Sequence, residues 1–216
     1  MLKFKRFLFK IMGGEYSRLF REEGKYSMKK LILVTSPPAC GKSFVTRRVA
    51  KEMKNCVYLD KDSLIVLSKQ IFLVAHENYN RSSDFFEEYI RDPEYDAIMQ
   101  IAYEALDYND TVFVNAPFTR EIEDKEYMDK LKADLARRDT KLVVIWVHTS
   151  IEACKRRMIS RNSDRDTWKL ENWDEYVKSR NFNPPAGVDD VYIFENSTDE
   201  EFKDSLDKVI KYLKSI

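Results

Sequence analysis

The stretch Leu31-Ile32-Leu33-Val34-Thr35-Ser36-Pro37-Pro38-Ala39-Cys40-Gly41-Lys42-Ser43 decides how the rest of the chain is read. Its first four residues are apolar and β-prone, as a short buried strand requires. A tight loop from Ser36 to Ser43 follows, and then a helical pattern through Met53. Strand, loop, Gly-Lys-Ser and helix are the parts of a phosphate-binding P-loop. Backbone N–H groups and the helix N-terminus of such a loop cradle phosphates, the lysine brings charge to the β/γ oxygens, and the hydroxyl ligates Mg²⁺. A chance Gly-Lys-Ser at a helix start would not need the strand before it. The expected nucleotide contacts are Ser36, Pro38, Ala39, Cys40, Gly41, Lys42, Ser43 and Phe44, with Ser43 also the metal ligand. The usual pattern opens with Gly where Ser36 stands, so a residue with a Cβ has to supply the backbone freedom of that Gly.

Composition sets the frame around this loop. A chain of 216 residues suits one domain with a sizeable core, and 44% hydrophobic with 34% charged residues suits a soluble globular protein. Lys+Arg and Asp+Glu each number 37, so the charge balance calls for no obligatory nucleic acid or anionic membrane. Cys40, Cys56 and Cys154 are scattered and odd in number, with no metal spacing and no disulfide framework. That favours a reducing cytosol. Cys40 lies at a helix N-terminus, where a thiolate is stabilised, although a tolerated small loop residue is the plainer reading.

Residues 1–27 differ from the rest. Met1 to Met12 mixes Lys3, Lys5, Arg6 and Lys10 with Phe4, Phe7, Leu8, Phe9 and Ile11, too interrupted for a signal peptide or a membrane span. It reads either as a basic amphipathic helix on a membrane surface or as an extension outside the fold. Met28-Lys29-Lys30 leading at once into a strand is a common start for a bacterial P-loop protein, and Glu22-Glu23-Gly24 can be encoded by a purine-rich ribosome-binding sequence. The extension is the expectation.

Further along, Cys56 to Asp60 reads as strand two, ending in Asp60-Lys61-Asp62. Ligands bind beyond the carboxyl ends of parallel strands, where these carboxylates fall; the plainer reading makes Asp62 a helix N-cap. Ser63–Asn78, Ser82–Arg91 and Asp92–Leu106 read as helices, more than a crossover needs, with Phe85, Phe86, Tyr89, Tyr95 and Tyr103 as aromatic walls for an acceptor or as core. Thr111–Asn115 and Lys141–Val147 read as strands three and four, with a helix from Glu126 to Arg138 between them. Thr149 or Ser150 caps a helix carrying Arg157 and Arg161 on one face, and Arg165 follows in a polar loop. A helix over Leu170–Arg180, a strand over Val191–Phe194 and a capping box at Thr198-x-x-Glu201 complete the pattern. His76 and His148 carry no role. Five strands alternating with helices predict a three-layer α/β domain with a parallel sheet.

In this order, the loop, the Asp60-x-Asp62 turn, Asn115, the paired arginines and the Asn196-Ser197 turn resemble the P-loop kinases. The resemblance runs from about Lys29 to Ile216. It is nearest the polynucleotide-kinase-like ATP-binding proteins often grouped as "AAA domain", with zeta-toxin, adenylate and shikimate kinases as wider relatives. It implies a P-loop NTPase fold with a helical insertion and a lid, a kinase domain over 28–216, and ATP with Mg²⁺ as cofactors. It also implies a small-molecule acceptor, a cytoplasmic monomer or homodimer, and the following roles. Lys42 and Ser43 hold triphosphate and metal, and Asp62 deprotonates the acceptor hydroxyl, leaving Asp60 beside the substrate. Arg157 and Arg161 flank the adenine and neutralise the transferring phosphoryl. Asn196 lies against the base, and Arg120 contacts the acceptor. Three positions depart from the family: Ser36 for the first Gly, Asn115 for a carboxylate near Mg²⁺, and Asp62-Ser63-Leu64-Ile65 without the usual arginine, for which Lys61 or Arg120 would substitute. A nucleotide-binding regulatory protein without transfer activity and a toxin-like nucleotide-sugar kinase are the alternatives.

Overall fold

The computed structural model describes residues 28–163, 166–185 and 191–216, so the expectations for residues 1–27 and for Arg165 lie outside the described residues. Five strands form one parallel sheet in the order β2-β3-β1-β4-β5. They are β1 Lys29–Thr35, β2 Cys56–Asp60, β3 Thr111–Asn115, β4 Thr140–His148 and β5 Val191–Glu195. The chain leaves β1 toward β2 on one side and leaves β3 toward β4 on the other. A crevice therefore opens beyond the carboxyl ends of β1 and β3.

Helices cover both faces: α1 Lys42–Lys51, α2 Ile65–Val74, α3 Asp84–Tyr89, α4 Arg91–Ala105, α5 Lys125–Ala136, α6 Ile151–Arg161, α7 Thr167–Glu171, α8 Trp173–Lys178 and α9 Asp199–Ser215. Alternate residues of the central strands feed two cores. Leu31, Leu33, Val112, Val114, Val144 and Trp146 pack with α4 and α5. Ile32, Val34, Phe113, Val143, Ile145 and Val147 pack with Val45, Val49, Cys154, Met158, Val209 and Leu213 of α1, α6 and α9. Continuous apolar runs are needed because both faces of these strands are covered. Among the described residues no helix is long and apolar enough to cross a membrane.

Two expected helices are shorter than the sequence pattern. The helix expected from Ser63 begins as a 3-10 turn, Lys61–Leu64, and α2 ends at Val74. Asp60, not Asp62, is the cap, its Oδ1 accepting the Asp62 N–H at 3.1 Å. The helix expected over Leu170–Arg180 is instead α7 and α8, divided at Asn172, whose Nδ2 donates to the Trp168 carbonyl at 2.9 Å. A short amide side chain competing for a backbone carbonyl is a common way to interrupt a helix.

Candidate active site

The site grows from the junction of β1 and α1. Gly41 is the N-cap of α1 at φ 89°. A Cβ there would come within 2.6 Å of Asn196 Nδ2, so both backbone and space require glycine. Ser36 is not where the loop departs from ordinary backbone, contrary to the sequence expectation. The positive φ falls at Ala39 (69°) and Gly41, on either side of Cys40. An alanine there costs about 1 kcal/mol, the lower end for a residue with a Cβ.

The start of α1 is left open. It has no side-chain cap and no acidic residue in its first turn. α2 and α7 share both features and α4 and α8 also lack a cap, whereas α3, α5, α6 and α9 are capped by Ser83, Asp124, Ser150 and Thr198. Its first amides keep the orphan donors of a helix end, with the positive dipole end unneutralised. Lys42 Nζ folds back on its own loop, donating to the carbonyls of Ser36 at 2.9 Å and Pro37 at 3.0 Å. Burial lowers its pKa, against the opposing pull of Cys40, Asp62, Cys154 and Asp60.

Behind the loop, the Cys40 carbonyl is a hub. It accepts from Asn196 Nδ2 at 2.7 Å, Thr149 Oγ1 at 2.9 Å and Arg157 Nη1 at 3.4 Å. Arg157 Nη2 also donates to the Asn196 carbonyl at 2.6 Å. Arg157 and Asn196 thus meet at the loop, where their hydrogen bonds hold it from behind. Ser43 Oγ accepts from Asn115 Nδ2 at 2.8 Å, while Asn115 Oδ1 is buried with no partner among the described residues. A hydroxyl beside an orphaned buried acceptor fits a hydrated Mg²⁺, with Ser43 toward the metal and Asn115 toward its water.

On the β2 side, Asp60 is fully engaged by the Asp62 N–H, by Tyr58 Oη at 2.6 Å and by Arg47 at 3.8 Å. Asp62 is exposed on the 3-10 turn, and its charge is felt by both Lys42 and Arg81. It therefore stands between the loop and the insertion of α2, α3 and α4. That insertion closes on a buried carboxylate the sequence did not flag, Glu94. Glu94 accepts from Lys61 at 2.5 Å, from Arg81 at 2.7 and 2.8 Å, and from Ser68. Burial alone would raise its pKa, but Arg81, Lys61 and Ser68 outweigh burial and hold it at about 2. Lys61, 3% exposed, is thereby committed, so it does not replace the missing arginine. Arg120 pairs with Glu87 at 2.7 Å on the surface.

The arginines of α6 part company. Arg157 turns to the loop, whereas Arg161 binds buried Asp166 through Nε and Nη2, with Lys169 on the other oxygen at 3.1 Å. The expected aromatic walls also divide. Phe86 and Tyr95 belong to cores, Tyr95 Oη donating to the Pro117 carbonyl, while Tyr89 is exposed. Phe44 is half-exposed, 5.1 Å from Phe202 between ring centroids. His148 Nδ1 meets Glu195 at 2.6 Å at the end of β4.

A family profile described as AAA domain matches residues 31–183, most of the chain. The chain belongs to this AAA-domain family. No curated protein matches its sequence. Among solved structures it is similar to a protein assigned as a kinase from Chloroflexus aurantiacus, at 19% identity and a TM-score of 0.58, covering 88% of this chain and 98% of that one. A sugar kinase from Janibacter sp. is similar at 11% identity and TM-score 0.55, over 87% and 95%. The APS kinase of Mycobacterium tuberculosis, solved with AMPPNP and APS, is similar at 15% identity and TM-score 0.52, over 88% and 99%. The sheet of this AAA-domain protein is thus that of the P-loop kinases, with five parallel strands flanked by helices. Within it, Ser36, Pro38, Ala39, Cys40, Gly41, Lys42, Ser43, Arg157, Asn196 and Asn115 gather at one crevice. Arg161 and Arg120 stand apart in ion pairs of their own.

Proposed function

We propose that this protein is an ATP-dependent kinase transferring the γ-phosphoryl group to a hydroxyl of a small-molecule or nucleotide-like acceptor in the cytoplasm. The observation that carries the reading is the uncapped start of α1 under the Lys42 ammonium, a cationic cradle whose lysine is parked on two loop carbonyls. Phosphate oxygens are better acceptors than those carbonyls, so Lys42 exchanges them on binding. Bound Mg²⁺-ATP would supply the transferable phosphoryl group and a metal charge to neutralise it. Ser43 and Asn115 would hold the metal and its water, and the loop amides through Phe44 the phosphates. Asp62 takes the acceptor proton. Arg157, at the loop, neutralises charge developing on the phosphates, and Arg161 joins it by releasing Asp166.

A second reading, nucleotide binding without transfer, is favoured by Asn115 at a position where the kinases carry a carboxylate. The full chain with Mg²⁺ and ATP, followed by calorimetry and by ADP release across a panel of sugars, nucleosides and nucleotides, divides the two. We expect ATP binding and acceptor-dependent ADP release. Folded protein that binds no ATP would overturn both readings; binding with no release on any acceptor would leave only the second.

A further inference from the structure

Two of the three cysteines, 114 residues apart in sequence, lie side by side. Cys40 Sγ, in the phosphate loop, is 3.4 Å from Cys154 Sγ on α6, and both residues are buried, at 1% and 0% exposure. A disulfide needs its sulfurs roughly 1.4 Å closer than this, a shift within reach of a loop turn and one helix. We propose that Cys40 and Cys154 are a redox modification site, closed by a peroxide-class oxidant into a reversible disulfide that ties the phosphate loop to α6.

The surroundings favour Cys40 as the attacking sulfur. The hydrogen bond with Cys154 lowers the Cys40 pKa, against burial and with help from Lys42, Ser36 and Arg157, while Cys154 is raised. Tyr176, in the same core cluster, has a buried hydroxyl with no partner among the described residues. Burial decides the oxidant, because hydrogen peroxide is small enough to enter when the loop opens and a bulky disulfide is not. The Cys40 thiolate attacks one peroxide oxygen, the O–O bond breaks, and protonation of the leaving hydroxide gives sulfenic acid and one water. Cys154 sulfur then attacks the Cys40 sulfur, the S–O bond breaks, and the Cys154 proton leaves with hydroxide as a second water. The peroxide is reduced by two electrons and the two thiols are oxidised by two. Cys56, whose thiol donates to the Ala50 carbonyl at 3.2 Å away from this pair, takes no part.

The disulfide would pull on the residue between Ala39 and Gly41, whose carbonyl holds the loop to Asn196, Thr149 and Arg157. On the nucleotide-binding reading above, the oxidised protein should bind ATP at least tenfold more weakly. Stoichiometric hydrogen peroxide on the full chain, thiol counting and non-reducing peptide mapping test the modification without reference to ATP. The expected result is a fall from three free thiols to one, a linked Cys40–Cys154 peptide, and recovery with dithiothreitol. Cys154→Ala should prevent the link and drive Cys40 on to sulfinic acid, which dithiothreitol does not reverse. Oxidation on Cys56, or on Cys40 with Cys154 still free in the natural chain, would overturn the proposal. A linked peptide in a protein that never bound ATP would instead strike at the functional reading alone.

Discussion

The two sides of the crevice are finished differently. At the start of α1, polar groups are left open: the helix has no cap, Asn115 Oδ1 has no partner among the described residues, and Lys42 rests on exchangeable carbonyls. In the insertion between β2 and β3 and the turn that follows β3, charges are paired within the protein. Glu94 takes Lys61 and Arg81, Glu121 takes Arg91, and Glu87 takes Arg120. The loop side keeps its lysine on exchangeable carbonyls, whereas the other side pairs most of its charges, with Glu121 Oε2 a buried acceptor left without a hydrogen-bond partner among the described residues. On the reading proposed above, a nucleotide would find a prepared cation site, and an acceptor would be recognised at the exposed Asp62.

The largest expected effect tests whether chemistry sits at that junction. A general base contributes typically 10²–10⁴-fold, and only in the transition state. Asp62→Asn should lower kcat by about that factor with little change in the KM for ATP. Asp60→Ala should remove the cap it makes, at about 1 kcal/mol of stability, rather than lower turnover. Near-normal steady-state turnover of Asp62→Asn on its acceptor would move the base to Asp60.

Next comes the self-completion of the insertion. Removing one partner of a buried ion pair costs about 3–5 kcal/mol, because the other charge is stranded. Glu94→Gln should lower stability to that extent in denaturant melts, whereas an effect under about 1 kcal/mol would show that Lys61 and Arg81 find water. The same group sets an acid limb. Its folded pKa of about 2 lies below its ordinary 4.5, so its contribution is fully present above 4.5 and is lost as pH falls from there toward 2. The loss amounts to about 3 kcal/mol. Burial dominates at Lys61, whose pKa is lowered, and pairing dominates at Glu94. A Glu94→Gln protein should show a flatter stability profile between pH 5 and 3 than the natural chain, roughly in proportion to that loss.

These two regions also explain what the sequence revealed. The loop was legible because its parts are contiguous: an apolar strand, Gly41-Lys42-Ser43 and a helix fall within one short window. The sheet was legible for the same reason, since each strand announces itself as a local apolar run, and so was the Thr198–Glu201 capping box, which forms as expected. What local pattern does not encode is distance across the fold. Lys61, Ser68, Arg81 and Glu94 are ordinary polar residues in the sequence and become one cluster only when α2 and α4 pack. Cys40 and Cys154 looked scattered for the same reason. The site of backbone strain was misplaced at Ser36 because the consensus Gly was missing there, while the turn placed its positive φ at Ala39.

The open side predicts a clean separation of binding from stability. Lys42→Ala removes charge-assisted contacts to phosphate worth about 2–3 kcal/mol, or roughly 30- to 150-fold in ATP affinity. Among the described residues its ammonium donates to two carbonyls of its own loop, so the melting temperature should hold. Calorimetry giving unchanged ATP affinity in a folded Lys42→Ala protein would remove the cation from the nucleotide site, and with it the contrast between the two sides.

A small stability effect is also expected at Arg120, on the surface of the charge-paired side. Its pair with Glu87 is short, at 2.7 Å, but the side chains are 59% and 40% exposed. Water screens such a pair, and holding two long side chains together costs entropy, so its net contribution is about 0–1 kcal/mol. Arg120→Ala should therefore leave the melt within about 0.5 kcal/mol of the natural chain. The pair is also cheap to exchange, and on the proposed reading an anionic or hydroxyl-rich acceptor arriving beyond β3 would compete with Glu87 for the same guanidinium. If Arg120 serves the acceptor, its loss removes binding common to ground and transition states, so the acceptor KM rises while kcat holds. Glu87→Gln should move the acceptor KM the other way, because it frees the guanidinium without removing it. Arg120→Ala with unchanged acceptor KM would leave the insertion closed to the acceptor at this point and return recognition to Asp62 and the crevice alone.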